Sequence, residues 1–170
     1  MRILFALALL LILTACATLD EGECRRGDWY AVGRADGSQG RDPDFIYQHA
    51  KACNEFGIRP VRSDWERGRQ DGLKSYCTPT RAFQDGRHGR VLRPVCPAEI
   101  TPQLQRANQR GLELHRIEQE IREIENDISA INSQLANLPA DDPARPGLIS
   151  ERSFLRLDLL SLRAERARYL

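Results

Sequence analysis

Few residues in this chain could do chemistry. It has three histidines, His49, His88 and His115, and five cysteines. Four of the cysteines, Cys24, Cys53, Cys77 and Cys96, follow one another at spacings of 29, 24 and 19. Zinc sites usually draw on cysteine pairs about two to four residues apart. No such pair occurs, so no metal site and no cofactor are expected. An even set of cysteines in an exported chain points instead to disulfides. Three connectivities are possible. Cys24–Cys53 with Cys77–Cys96 is favoured, because a helical hairpin would return Cys53 close to Cys24. That leaves no thiol for a Cys–His pair, and no serine stands in a nucleophile-elbow context. His49, four residues before Cys53, is expected to pack beside the disulfide. His115 lies in a charged stretch and is expected to be solvated.

The remaining candidate is a repeat. Asp28-Trp29 leads to Gly33-Arg34-Ala35-Asp36-Gly37, and Asp64-Trp65 leads to Gly68-Arg69-Gln70-Asp71-Gly72; Phe83-Gln84-Asp85-Gly86-Arg87 is a shorter echo. On a helix, residues four apart share a face. Gly33 with Gly37, and Gly68 with Gly72, would each make a smooth stripe. A helical glycine costs about 1 kcal/mol relative to alanine, so two per repeat need a reason. One reason is close helix–helix approach, with Trp29 and Trp65 beside the stripe. The other is a groove rimmed by Arg34, Asp36, Arg69 and Asp71 that holds a polar ligand. In that reading Asp36 and Asp71 could face each other as paired carboxylates. Each also has an arginine two positions before it, which favours a supporting ion pair. The strings lack the strand–loop–helix context of a phosphate loop. The expectation is therefore no catalytic residue and no enzyme, with a ligand-binding or hydrolytic groove as the alternative.

The elements that must position these residues are helical. Asp42-Pro43 and Thr78-Pro79 read as N-cap followed by N1. Ser63-Asp64-Trp65-Glu66 fits a capping box, and Gly57 can end the helix that carries Tyr47, His49 and Cys53. Helices of about ten residues bury little alone, so the disulfides would compensate for a small core. Beyond residue 97 the pattern changes. Thr101-Pro102 opens a long helix, and Leu114, Ile117, Ile121, Ile124, Ile128, Ile131, Leu135 and Leu138 recur at alternating intervals of three and four. That is a heptad seam. A helix over 103–138 would be about 54 Å long. Breaker-rich 139–147 is a turn, and a second helix with seam residues Leu148, Leu155, Leu159 and Leu162 runs to the end. Arg152 and Arg166 stand at seam positions that should be apolar. So short a connection predicts an antiparallel coiled-coil hairpin, with Ile128 near Leu155 and Ile121 near Leu162. Phe154, Leu157 and Leu160 lie off the seam, and the first helix has no partner before about residue 112. One more surface should cover the hairpin. That surface is either residues 24–97 or another chain, as a protein partner or a homo-oligomer formed through residues 100–170.

Overall charge excludes little beyond nucleic acid. The chain has 25 basic and 24 acidic residues, and residues 24–97 carry a mild excess of 14 basic over 9 acidic. The N-terminus is more explicit. Arg2 precedes an apolar run, Ile3 to Leu13, of eleven residues. At about 1.5 Å per residue this is too short for a hydrocarbon core of about 30 Å, so it reads as a signal peptide. It closes on Leu13-Thr14-Ala15-Cys16. This resembles the lipobox of bacterial lipoproteins, which implies cleavage before Cys16, lipidation of Cys16 and acylation (palmitate included) of the new N-terminus. One acyl chain binds a membrane only marginally, whereas several bind durably. Residue 17 is alanine rather than the aspartate that marks inner-membrane retention in enteric bacteria. An outer-membrane lipid anchor, with the protein facing the periplasm, is expected.

The runs Glu23-Cys24-Arg25-Arg26-Gly27-Asp28-Trp29, Gly33, Asp36-Gly37, His49-Ala50-Lys51-Ala52-Cys53, Gly68-Arg69, Gly72-Leu73, Tyr76-Cys77-Thr78-Pro79 and Val95-Cys96-Pro97 together resemble an uncharacterised family of proteobacterial lipoproteins, domain of unknown function 2799. The resemblance covers residues 23–97. It implies an envelope lipoprotein and supplies no activity. The expected layout is a cleaved signal at 1–15, a lipidated tether at 16–23, an all-α disulfide-linked domain at 24–97 and a coiled-coil helical hairpin at 98–170. The expected role is a non-catalytic scaffold or partner-binding one, exercised through the coiled-coil arm.

Overall fold

The computed structural model describes residues 18–169. The signal peptide at 1–15 and the lipobox cysteine, Cys16, lie outside the described residues. Among the described residues the chain is all-α, with seven α-helices and no strand. They are α1 (Glu21–Arg26), α2 (Trp29–Ser38), α3 (Ile46–Asn54), α4 (Arg62–Tyr76), α5 (Pro79–Arg87), α6 (Thr101–Asn137) and α7 (Arg145–Arg166). A 3₁₀ turn, Pro43–Phe45, leads into α3 under an Asp42 cap.

Two compact units form. The first comprises the described residues up to Thr78 together with Arg93–Pro97. The second comprises Pro79–Leu92 and everything from Ala98 onward. A boundary at 97/98 is therefore incorrect. The echo repeat on α5 packs with the long helix, and the Cys77–Cys96 disulfide draws only the short segment 93–97 back to the first unit.

The first unit is built on the crossing of α2 and α4. Their backbones meet so closely that a Cβ on Gly33 would lie 1.9 Å from the Trp65 carbonyl oxygen, and one on Gly68 2.0 Å from that of Tyr30. Gly37 and Gly72 repeat the relationship against Arg69 and Arg34. Only glycine allows that approach. Trp29 and Trp65 are both buried, in a cluster with Leu19, Cys24, Ile46 and Cys53. Cys24–Cys53 and Cys77–Cys96 are disulfides, each with Cα atoms 5.6 Å apart, in the connectivity that the hairpin argument favours.

Three local expectations need correction. Residues 18–23 are not tether: Leu19 joins the core, and Asp20 caps α1 reciprocally with Glu23. A buried leucine and a capping box tie this stretch to the fold. Ser63 does not cap α4, which begins at Arg62, because Trp65 N–H already donates to the Val61 carbonyl at 3.1 Å. Likewise Thr101 is the first residue of α6 and Ile100 its N-cap.

In the second unit α6 and α7 form the hairpin. Ile117, Ile121 and Leu159 are its buried centre, flanked by Ile124, Ile128, Leu162 and Tyr169. Arg145 donates to the carbonyls of Leu135 and Leu138, at 2.7 and 3.0 Å, and so caps the last turn of α6 from the start of α7. The seam arginine Arg152 reaches outward to Asn132 Oδ1 at 2.8 Å, and Arg163 pairs with Glu125 at 2.7 Å. The early part of α6 does find its cover, in α5. A Cβ on Gly86 would meet the Asn108 carbonyl oxygen at 2.1 Å, and one on Gly111 that of Phe83 at 2.2 Å. The second unit thus uses the same glycine crossing as the first.

Candidate functional site

The four residues expected to rim a groove do not come together. Asp36 and Arg69 are buried, whereas Arg34 is exposed and Asp71 half-buried. The glycine stripes are closed against each other, which removes the groove floor. Asp36 does not pair with Arg34. Its Oδ2 accepts from the Trp65 indole at 2.8 Å and faces His49 Nε2 at 2.7 Å. Because α2 and α4 cross so closely, Trp65 is brought over the residue next to Gly37. Arg69 donates to Glu66 through Nε and Nη2, both at 2.7 Å, and to the Arg41 carbonyl at 3.0 Å. The Arg69 hydrogen bonds hold the Glu66 carboxyl below its usual range.

Asp71 and Arg34 line an open surface depression with Tyr30 and Lys74. Lys74 donates to Asp71 Oδ1 at 2.5 Å and the Tyr30 hydroxyl to Oδ2 at 2.7 Å. Those bonds, Lys74 first, lower the Asp71 pKa, and the same contact raises that of Tyr30. Asp36 and Asp71 therefore have different partners and do not act as paired carboxylates.

His49 carries more structure than its sequence position suggests. A carboxylate only accepts, so the proton between His49 and Asp36 sits on Nε2, and Nδ1 faces Thr18 Oγ1 at 2.8 Å. This is a hydroxyl–imidazole–carboxylate chain like that of nucleophilic hydrolases, but with the roles of the two ring nitrogens exchanged. Acyl transfer also requires donors aimed at a developing oxyanion. The cavity beside Thr18 is instead lined by Glu23, Asp28 and Asp36 with Arg26 as its one cation, a field of the wrong sign. Here the chain's chemistry is to fasten Thr18 to α2 through α3. Nothing in the local sequence signals the Thr18 contact, because 31 residues separate it from His49.

His115 is half-buried rather than solvated. Its Nδ1 donates to the Arg87 carbonyl at 3.0 Å, and its Nε2 accepts from Gln119 at 2.8 Å. Asn108 is a second residue that local sequence does not plainly announce. It is buried, donates to the carbonyls of Ala82 and Arg90, and accepts from Leu92 N–H. The clue available was the run of small residues Ala107 and Gly111, which continues the apolar stripe of α6 back towards Leu104. Among the described residues no group of three or more His, Cys, Asp or Glu side chains is placed to hold a metal ion, and no helix is long and apolar enough to cross a membrane.

Exposed apolar residues also gather on the outer face of α7. Leu148, Leu155, Leu159 and Leu162 turn towards α6. At about 100° per residue, Ile149, Phe154, Leu157 and Leu160 lie on the opposite side. Phe154 is 68% exposed, Leu157 63% and Leu160 62%. Within the second unit nothing covers them.

The family model described as Protein of unknown function (DUF2799) matches residues 28–113, half of the chain. The match begins at the Asp28 cap of α2 and ends two residues beyond Gly111, so it takes in both glycine crossings and stops short of most of the hairpin. No curated protein and no solved structure matches the chain. By the extent of that match, the chain belongs to the DUF2799 family.

Proposed function

We propose that this protein is a lipid-anchored envelope protein whose helical hairpin serves as a protein-binding arm. The observation that carries the reading is the outer face of α7, where Phe154, Leu157 and Leu160 stand in solvent on one stripe. A two-helix hairpin needs one apolar face per helix, and α7 has two. Each such side chain contributes about 1.5–3 kcal/mol when fully buried. Contiguous exposed apolar stripes of this kind mark interaction surfaces. The anchor rests on Leu13-Thr14-Ala15-Cys16 behind the eleven-residue apolar run, and the outer membrane on Ala17 in place of aspartate.

Crosslinking on native envelopes tests the arm. Wild-type protein is expected to give discrete crosslinked species, and Phe154→Ser with Leu157→Ser and Leu160→Ser to lose them while keeping its unfolding midpoint. Unchanged crosslinks in that variant, or none in the wild type, would sink the reading. Radiolabelled palmitate should enter the wild type and not Cys16→Ser. Failure of that arm removes the anchor and leaves the binding face standing.

A further inference from the structure

A cleft of about 420 Å³ opens between α3 and the segment 59–62 that leads into α4. Its floor is apolar, made by Ile46, Ala50 and the Tyr47 ring. Lys51, Arg59 and Arg62 stand on its rim, and no carboxylate lines it. Tyr47 is 59% exposed and lines the cleft with the three cations, so apolar surface and cations share one patch.

The cations are not committed elsewhere. Among the described residues Lys51 and Arg59 make no ion pair. Arg62 donates Nη1 to the Tyr47 hydroxyl at 2.9 Å, with its guanidinium 5.5 Å from that ring's centroid. A neutral phenol holds this arginine in place and leaves most of its N–H donors for another acceptor. Two acids act on Arg62 through their field, Asp44 and Glu66. Glu66 is already engaged by Arg69 and Gln70.

We propose that this cleft binds a small amphipathic anion, with a phosphate-monoester or carboxylate head on the Lys51–Arg59–Arg62 rim and a short apolar body on Ile46, Ala50 and Tyr47. The two halves act together. Exposed ion pairs alone contribute little, and an apolar floor alone would not select charge. The concavity falls within the size range of ligand pockets, about 300–1,000 Å³. The ligand proposed is a free one; a bilayer offers the same phosphate chemistry, and the experiment separates the two. The inference does not depend on the α7 face.

Calorimetric titration of the full chain, held in a nonionic detergent, tests this with three probes: hexyl phosphate, inorganic phosphate and hexanol. Hexyl phosphate is expected to bind at least tenfold more tightly than either of the others. Lys51→Glu with Arg59→Glu, both at exposed positions, should reduce that affinity at least tenfold at an unchanged unfolding midpoint. Equal affinity for hexyl and inorganic phosphate, or full affinity in the double variant, overturns the proposal. Sedimentation with phosphatidylglycerol vesicles separates the two sources. Vesicle binding that the double variant abolishes, with no binding of hexyl phosphate, would mean a headgroup contact and would also overturn it.

Discussion

The Trp65 indole N–H donates to Asp36 Oδ2 at 2.8 Å inside the first unit, and His49 Nε2 meets the same oxygen at 2.7 Å. One carboxylate therefore joins α2, α3 and α4 at the level of the glycine crossing. All three side chains are buried. Removing the acceptor strands two donors away from water. Asp36→Ala should destabilise the protein by about 3–5 kcal/mol. Asp36→Asn, which keeps one acceptor oxygen, should lose less, about 1–3 kcal/mol. Urea unfolding followed by tryptophan fluorescence measures both, and an Asp36→Ala protein as stable as wild type would refute the role.

The crossing makes a sharper prediction for glycine. A Cβ on Gly68 would sit 2.0 Å from a backbone oxygen, which no rotamer change relieves. Gly68→Ala must separate the helices, at about 3 kcal/mol or more. Gly147 in α7 is the control, since a Cβ there meets nothing within 4 Å. Gly147→Ala should stabilise by about 0.5–1 kcal/mol. Thermal melts of the two variants should move in opposite directions.

The disulfides differ in access. Cys24 and Cys53 are 1% and 0% exposed, while Cys96 is half-buried. Exchange requires a thiolate to reach a sulfur. Under native conditions dithiothreitol should open Cys77–Cys96 first, and mass spectrometry after alkylation should find Cys77 and Cys96 labelled well before Cys24 and Cys53.

Glu66 ties stability to pH. Its carboxyl is held low, chiefly by the Arg69 hydrogen bonds. A folded-state pKa below the unfolded one stabilises above the ordinary carboxylate value of about 4.3, and that contribution is lost as pH falls through the folded value. The Glu66 side chain is 36% exposed, so screening limits the effect to about 1 kcal/mol. The stability gap between wild type and Glu66→Gln should be widest near pH 7 and shrink as pH drops below about 4.3. A gap that stays constant down to low pH would show that the carboxylate charge plays no part.

Much of this fold is legible in the chain. Gly33, Gly37, Gly68 and Gly72 announce a close helix crossing, because helical glycine is costly without one. The intervals from Leu114 to Leu138 announce the hairpin, because they repeat the heptad period. Less visible was where Asp36 and Arg69 would point. Each sits beside a glycine on its helix wheel, and only the angle of the α2–α4 crossing turns them inward. Nor does local pattern show that α5 serves α6. The echo at Phe83–Arg87 has its counterpart in Gly111, and a single glycine in a helix of 37 residues makes a faint signal.

The sequence by itself determined the helical elements, the hairpin and the need for close approach at the glycine stripes. These follow from periodicity and backbone freedom, which are properties of neighbours along the chain. Only the tertiary structure decided that the Arg–Asp groove is closed, that His49 links Thr18 to Asp36, that residues 79–92 join the second unit, and that the second unit by itself leaves the outer face of α7 uncovered. Those outcomes depend on contacts between residues far apart in sequence, where packing geometry selects among side-chain partners that composition leaves equivalent.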